Sequence, residues 1–206
     1  MSTTVWTAIA VLGTIALVPP PARSPEPPTP PSLVRSAGGK PDTLVVNPRA
    51  SSIRWKGTGL GGRAVREGTL GIGKGMFVVR HEQLTSGIVT FDMTQLDGAL
   101  KGENFFDVAH HPSASFTSTG MTRVGQSRWQ VSGNLTLRGV SRPVTFDADV
   151  RWEELGHMIA TSSFTIDRTP WGIGSGAAVA DGIADPAIQL SVTLDAQRKQ
   201  PTVVTR

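Results

Sequence analysis

Apolar and polar residues alternate along two neighbouring stretches near the middle of the chain. Between residues 129 and 137, every second position is apolar or glycine and the positions between them are polar. The alternation returns between residues 144 and 152, after a short polar corner at residues 139–143. A period of two residues is typical of a strand with one buried face. Two such arms joined by a tight corner predict an antiparallel hairpin.

Shorter extended runs lie on both sides of this hairpin. They occupy residues 43–47, 51–56, 76–79, 84–93, 116–119, 159–168 and 187–194. Together with the hairpin they predict an all-β domain with further strands added to that unit. One short helical segment is predicted near residues 100–108. Its Phe105 and Phe106 have two interpretations, a plug that belongs to the core and a lid that contacts a ligand.

The N-terminal part of the chain has a different composition. Residues 5–18 form an apolar run that is shorter than the roughly 20 residues of a membrane-spanning helix. Residues 1–22 are therefore predicted to be a signal peptide cleaved near Ala22, or, as the alternative, an uncleaved N-terminal anchor. Both place the domain outside the cytoplasm, in the periplasm or secreted. We interpret residues 23–41 as a proline-rich linker, residues 42–197 as the domain and residues 198–206 as a disordered tail.

Charge and cysteine content exclude several functional classes. The formal net charge is +4 and the sequence pI about 10.1, but the basic residues are scattered among acidic ones. Such a distribution indicates a solvated surface and no nucleic-acid partner, with proximity to an anionic membrane as a weaker alternative. The chain contains no cysteine. Disulfides, thiolate metal sites, a thiol nucleophile and a lipid-modified cysteine are therefore excluded.

Few residues have the pattern of a catalytic or metal site. His110 and His111 stand close to Asp107, but adjacent residues on an extended chain point to opposite faces. We therefore predict no metal and no cofactor. No Gly-x-Ser-x-Gly motif is present, and we predict no catalytic residue and no enzymatic activity. The alternative is an enzyme for a small hydrophobic substrate that uses Asp107, His110 or Arg168.

The inward phase of the predicted strands is apolar, and it includes several small residues. Gly87, Ala114, Gly133 and Ala148 share this phase and are expected to leave room inside the sheet. About ten buried methylene-sized groups would contribute roughly 8 kcal/mol to the binding of a hydrocarbon. The residues predicted to contact such a ligand are Trp55, Phe91, Met93, Phe105, Phe106, Phe116, Leu135, Leu137, Phe146, Phe164, Ile166 and Trp171.

Several separated motifs resemble those of the YceI-like family. They are LKGENFFDV at residues 100–108, FTST at 116–119, GNLTLRGV at 133–140, and IDR with WGI between residues 166 and 173. The resemblance covers residues 42–197. It implies a single lipocalin-like antiparallel β-barrel of about eight strands that is exported and binds a polyisoprenoid or quinone-like tail for transport, storage or sequestration. It is also compatible with a homodimer.

Two alternatives remain open at the level of the sequence. The domain is either a carrier with an empty interior or a surface interaction module with a filled core, and the volume of the cavity separates these readings. Arg168 is either a structural residue that bonds loop carbonyls near Trp171 or a group that recognises a lipid head group.

Overall fold

A computed structural model describes residues 41–59, 65–174 and 185–198 of the chain. The predicted leader, nearly all of the proline-rich linker and residues 199–206 lie outside these ranges. The strands, in chain order, are β1 (Asp42–Val46), β2 (Ser52–Thr58), β3 (Val65–Arg80), β4 (Gln83–Asp92), β5 (Ser113–Arg123), β6 (Arg128–Leu137), β7 (Val140–Glu153), β8 (His157–Asp167) and β9 (Ala187–Arg198). In these ranges no helix is long and apolar enough to cross a bilayer.

The strands form one closed antiparallel sheet. Its order is β1-β3-β2-β9-β8-β7-β6-β5-β4, and β3 pairs with β4 to close the ring. β2 lies between β3 and β9 at residues 52–58, and β1 lies between the same two neighbours further along them. β1 and β2 therefore lie end to end at the same position in the ring of strands, with a break between them at residues 47–51. This arrangement confirms the predicted all-β barrel of about eight strands.

Tight turns connect two of the hairpins. His81 and Glu82 join β3 to β4, and Arg138 and Gly139 join β6 to β7; all four have positive φ angles, of 47°, 59°, 49° and 74°. Such two-residue turns match the twist of the flanking strands. The corner predicted at residues 139–143 is therefore too long. Pro143 lies within β7 opposite Asn134, where its missing N–H is tolerated because β8 does not pair with this part of β7.

The helix predicted near residues 100–108 is not formed. A 3₁₀ turn covers Gly98–Leu100, and a series of turns follows it. The amide of Phe106 donates to the carbonyl of Leu100, and that of Val108 donates to the carbonyl of Lys101. These bonds span more residues than the four of an α-helix, and Asp107 has a φ of +44° that a helix does not allow. A segment this short gains too little from helical bonds to resist such contacts.

Two clusters of buried residues fill the two ends of the barrel. The hairpin end, where β3 turns into β4 and β7 into β8, contains Leu44, Trp129 and Met158, each under 2 % exposed. The loop end lies under residues 93–112 and 169–173. Its buried residues are Trp55, Met93, Leu96, Leu100, Phe105, Val108, Ala114, Leu135, Leu137, Trp171 and Ile173.

One part of the wall has no ladder. β7 and β8 pair only between Asp149–Glu153 and His157–Thr161, whereas β6–β7 and β8–β9 pair along nearly their whole lengths. Residues 140–148 of β7 and residues 162–167 of β8 thus run beside each other without pairing. We call this unpaired boundary the seam.

Candidate functional site

An apolar cavity runs along the inside of the barrel. Its volume is about 160 Å³. Its wall includes Leu84 and Met158 from the hairpin end and Leu96 and Leu100 from the loop end, so that it extends from one cluster to the other. The polar residues among those that line it are Thr161, Ser162 and Arg168. An interior of this kind suits a hydrocarbon and offers few groups for chemistry on a polar substrate.

Most of the residues predicted to contact a ligand lie in the wall of this cavity. Eleven of the twelve predicted contact residues line the cavity: Trp55, Phe91, Met93, Phe105, Phe106, Phe116, Leu135, Leu137, Phe146, Phe164 and Ile166. Trp171 does not line it. It is buried behind the wall, where its Nε1–H donates to the carbonyl oxygen of Leu135 at 3.1 Å. Contact between the eleven residues and a ligand stays a prediction.

Sequence reasoning missed other parts of the wall. Met121 lines the cavity because β5 has a bulge between Ser118 and Gly120, which shifts the parity of the residues that follow. No pattern in the sequence indicates that bulge. Phe77 and Met158 also line the cavity. They could have been found, since each lies at an inward position of its strand.

Two of the small inward residues, Gly87 and Gly133, do not leave the room that was predicted for them. The ring of Phe77 covers Gly87, where a Cβ atom would come within 2.5 Å of it. Likewise the ring of Phe116 fills the place of a side chain at Gly133. The glycines therefore accommodate neighbouring rings, and this packing keeps the cavity narrow.

The size of the cavity limits what it holds as it stands. A cavity of about 150 Å³ accepts a molecule the size of benzene. The present cavity has a similar volume, 160 Å³, drawn out along the barrel axis. It therefore has room for only a short hydrocarbon, and a long tail requires wall residues to move. Six large side chains of the wall are only half-buried and have more freedom to move than the buried ones: Phe91, Phe106, Phe116, Met121, Phe146 and Phe164.

Arg168 is the charged residue of the cavity wall. Its side chain is 6 % exposed, its Nη1 donates to the carbonyl of Ile173, and its Nε lies 3.4 Å from the carbonyl oxygen of Asp185. These bonds connect the end of β8 to the loop that follows it. The observed geometry thus agrees with the structural interpretation, in which the guanidinium donates hydrogen bonds to loop carbonyls.

Trp55 has a polar atom with no partner among the described residues. Its Nε1 is buried, and no acceptor lies within hydrogen-bonding distance. The indole instead covers Gly68, whose Cβ position is 2.8 Å from Nε1. An unmet buried donor costs about 1–3 kcal/mol, which offsets part of the stabilisation from burying the indole ring.

Asp107 and His110 form an ion pair outside the cavity. Asp107 Oδ1 and His110 Nδ1 are 2.9 Å apart. The hydrogen bond between them lowers the pKa of Asp107 and raises the pKa of His110. Neither residue lines the cavity, and Arg168 does not join them. The three residues of the enzyme alternative are thus not brought together, and across the described ranges no three His, Asp or Glu side chains are grouped as for a metal ion.

A search of protein-family models relates this barrel to a known family. The model for the YceI-like domain matches residues 44–197, which is most of the chain. The chain belongs to the YceI-like family. The match begins within β1 and ends within β9, so that it includes every strand of the barrel. It also confirms the resemblance that the motifs indicated.

Individual relatives match a shorter stretch. The chain is 37% identical over 65 residues to the UPF0312 protein of Azotobacter vinelandii, covering 32% of this chain and 34% of that protein. It has the same identity over 65 residues to Protein YceI of Salmonella arizonae, again 32% of this chain and 34% of that protein. The chain thus spans about a third of the length of the curated YceI-like relatives it matches.

Solved structures share the fold of this YceI-like barrel. The crystal structure of Burkholderia cenocepacia BcnA has a TM-score of 0.62 at 21% identity, covering 74% of this chain and 99% of that one. A polyisoprenoid binding domain from Saccharophagus degradans, implicated in plant cell wall breakdown, has a TM-score of 0.59 at 13% identity, covering 78% of this chain and 100% of that one. At these identities the likeness shows the fold.

Proposed function

We propose that this protein binds the hydrocarbon tail of a polyisoprenoid or quinone-like lipid inside the barrel, without catalysis. The observation that carries the proposal is the apolar cavity that extends from the hairpin end to the loop end. A YceI-like neighbour of the same fold is described as a polyisoprenoid binding domain, which supports a ligand of this class.

Apolar burial alone supplies enough affinity. Each methylene group buried contributes about 0.8 kcal/mol, so ten groups contribute roughly 8 kcal/mol. That free energy corresponds to a dissociation constant of about 1 μM before the costs of ordering the ligand and of moving the wall residues that ten groups displace. No polar contact is needed for useful binding, and selectivity then depends on the length and width of the cavity.

The two ends of the barrel favour one orientation of the ligand. The hairpin end is filled by Leu44, Trp129 and Met158, which have almost no exposed surface. The loop end differs in that it holds Arg168, the charged residue of the cavity wall. A ligand with an apolar tail and a polar head group is therefore best accommodated with its tail towards the hairpin end and its head group at the loop end.

Transport, storage or sequestration outside the cytoplasm is the role we propose for this binding. The apolar run at residues 5–18 has the length of a signal-peptide core, and the proline-rich stretch after it suits a spacer. Both features support export to the periplasm or secretion. A carrier needs no reactive group, in keeping with the apolar lining.

Filling the cavity tests the proposal. Ala160 lines the cavity and its neighbour Ile159 does not, so Ala160→Phe and Ile159→Phe place the same ring inside and outside the wall. We expect Ala160→Phe to weaken the binding of all-trans-retinol, a fluorescent isoprenoid alcohol, by about tenfold or more, because the loss of a few buried methylene groups has that effect. Ile159→Phe should bind like the unaltered protein. Native mass spectrometry of the purified full chain should also detect a hydrophobic ligand.

The alternative is an interaction module with a filled core. The narrow cavity is the observation that favours it, since the rings of Phe77 and Phe116 occupy space expected to be free. Under this alternative, the unaltered protein takes up neither retinol nor farnesol and is purified without a ligand. That combination of results would contradict the proposed function.

A further inference from the structure

The seam differs from the rest of the wall in what holds it together. Along the seam the rings of Phe146 and Phe164 stack with their centroids 4.3 Å apart and their planes within 7°. The hydroxyl of Ser162 donates to the carbonyl oxygen of Asp147. Side-chain contacts thus replace the ladder of backbone hydrogen bonds that joins β7 to β6 and β8 to β9.

The residues on the seam also belong to the cavity. Val144 and Phe146 of β7 and Ser162, Phe164 and Ile166 of β8 all line it, and all five are half-buried. Lateral separation of β7 from β8 would therefore connect the cavity with the outside of the barrel directly.

Both ends of the seam are held. At one end the five ladder pairs from Asp149↔Thr161 to Glu153↔His157 continue the wall. At the other, Arg138 Nη1 donates to the carbonyl of Gly172 at 2.8 Å and Arg142 Nε donates to that of Pro170 at 3.1 Å. The weak stretch is thus bounded, so that it can open without unfolding the barrel.

Opening the seam breaks fewer backbone hydrogen bonds than opening the β6–β7 or the β8–β9 boundary. Each backbone hydrogen bond contributes about 0.5–1.5 kcal/mol net, and the ladders on the far sides of β7 and β8 contain many of them. A second unpaired boundary lies between β4 and β5 at the hairpin end, beyond Ile88↔Thr117. There Phe77, which is 6 % exposed, packs over Gly87, and the Gly87 amide donates to Ser118 Oγ at 2.8 Å. The side chains that close the β7–β8 seam are thus less deeply buried than those that close the β4–β5 boundary.

We infer that hydrocarbon ligands enter and leave the barrel sideways, through the seam, when the rings of Phe146 and Phe164 separate. The inference rests on the proposed function and adds a route to it. The same movement widens the narrow cavity, since both rings line it. It explains how a lipid longer than the resting cavity is accommodated without displacing the buried residues at either end.

Cross-linking tests the route. Thr145 and Thr165 are exposed and would face each other if the β7–β8 register continued, so Thr145→Cys with Thr165→Cys places two thiols across the seam. The chain has no other cysteine, and a short bis-maleimide therefore joins only these two. The matched control is Arg151→Cys with Ile159→Cys, which joins the same strands at a position that is already paired.

Retinol uptake and release by the full chain are measured by stopped-flow fluorescence before and after cross-linking. We expect both rates of the seam variant to fall by about tenfold or more on cross-linking while the dissociation constant changes little, because a barrier on the route affects both directions. The control variant should keep its rates.

The outcomes separate the two proposals. Unchanged rates in a fully cross-linked seam variant that still binds retinol would overturn the inference and leave the proposed function in place. The inference would also be overturned if cross-linking Ser86→Cys with Thr119→Cys, across the β4–β5 boundary, slowed uptake and release while cross-linking the seam did not. That result would favour entry at the β4–β5 boundary. Absence of retinol uptake by the unaltered protein would overturn both.

A single substitution tests the same route without a cross-linker. Phe164→Leu removes the ring stack and keeps an apolar side chain, so we expect uptake and release to become several-fold faster. Phe91→Leu makes the same change in the cavity wall away from the seam and should leave the rates nearly unchanged. Equal effects of the two variants on the rates would contradict the inference.

Discussion

Phe116 lies across Gly133, and its ring occupies the space that a side chain at position 133 would need. A Cβ atom there would also lie 2.5 Å from the carbonyl oxygen of Thr117. We expect Gly133→Ala to lower the free energy of unfolding by about 1–3 kcal/mol, the usual cost of overpacking a core. Urea denaturation followed by tryptophan fluorescence measures this change.

Gly120 is the matched control for that substitution. It also lies in the β5–β6 pair, but a Cβ atom at this position would have no neighbour within 4 Å. Gly120→Ala should therefore change the free energy of unfolding by no more than about 0.5 kcal/mol. Equal losses at the two positions would show that the contact with Phe116 is not the cause.

Trp55 and Trp171 offer a second matched comparison. Both are buried, but Nε1 of Trp171 donates to Leu135 and Nε1 of Trp55 has no acceptor among the described residues. Substitution by phenylalanine removes similar volume from each site. We expect Trp171→Phe to lower the free energy of unfolding by about 1 kcal/mol more than Trp55→Phe, because it also breaks a buried hydrogen bond. Chemical denaturation of the two variants measures the difference, and a larger loss for Trp55→Phe would contradict this reading.

The Asp107–His110 pair predicts a pH dependence. The pKa of Asp107 is lowered from its ordinary 3.8, so its stabilising contribution is present above that value and is lost as the pH falls. The pKa of His110 is raised from its ordinary 6.5, so its contribution is present below that value and is lost as the pH rises through the higher folded value. The pair therefore stabilises the fold most between these two values.

Asp107→Asn tests this dependence. Asparagine tolerates the positive φ of position 107 and removes only the charge. We expect the difference in melting temperature between the unaltered protein and this variant to be largest between about pH 4 and pH 6.5. It should shrink on both sides of that window. A difference that is the same at all pH values would show that the ion pair is not its source.

Arg168 is expected to act on stability more than on binding. Arg168→Ala removes the bond to Ile173, and we expect the free energy of unfolding to fall by about 1.5–3 kcal/mol, the usual contribution of a hydrogen bond to a charged group. Arg151→Ala is the control, since the side chain of Arg151 is 71% exposed. Denaturation and retinol titration are measured together. Normal folding with lost retinol binding would instead assign Arg168 to the head group of the ligand.

The strands and part of the cavity wall were predictable because alternation fixes which side of a strand is buried. Leu135 and Leu137 follow this rule along β6, and both line the cavity. The rule fails at Met121, where a bulge moves the side chain to the other face. It also misjudged Gly133, since parity gives the direction of a residue and does not say which neighbour fills the space above it.

Loops were harder to predict than strands. The turns at residues 101–110 depend on backbone bonds between residues six or seven apart and on the positive φ of Asp107, neither of which has a periodic pattern. Trp171 was predicted to contact the ligand, yet it lies behind the wall and donates to the carbonyl of Leu135 in a distant strand. Contacts between segments far apart in the chain leave no trace in local composition.

The shared position of β1 and β2 in the wall has a consequence for biosynthesis. Both strands pair with β9, the last strand of the barrel, so that the earliest and latest residues of the domain must meet before the ring is complete. A ribosome releases these residues at opposite ends of translation, and folding that depends on such distant pairs is slow. During that interval the apolar inner face of the unfinished sheet is exposed to water. A chaperone, or a lipid bound before the ring closes, would protect it from aggregation.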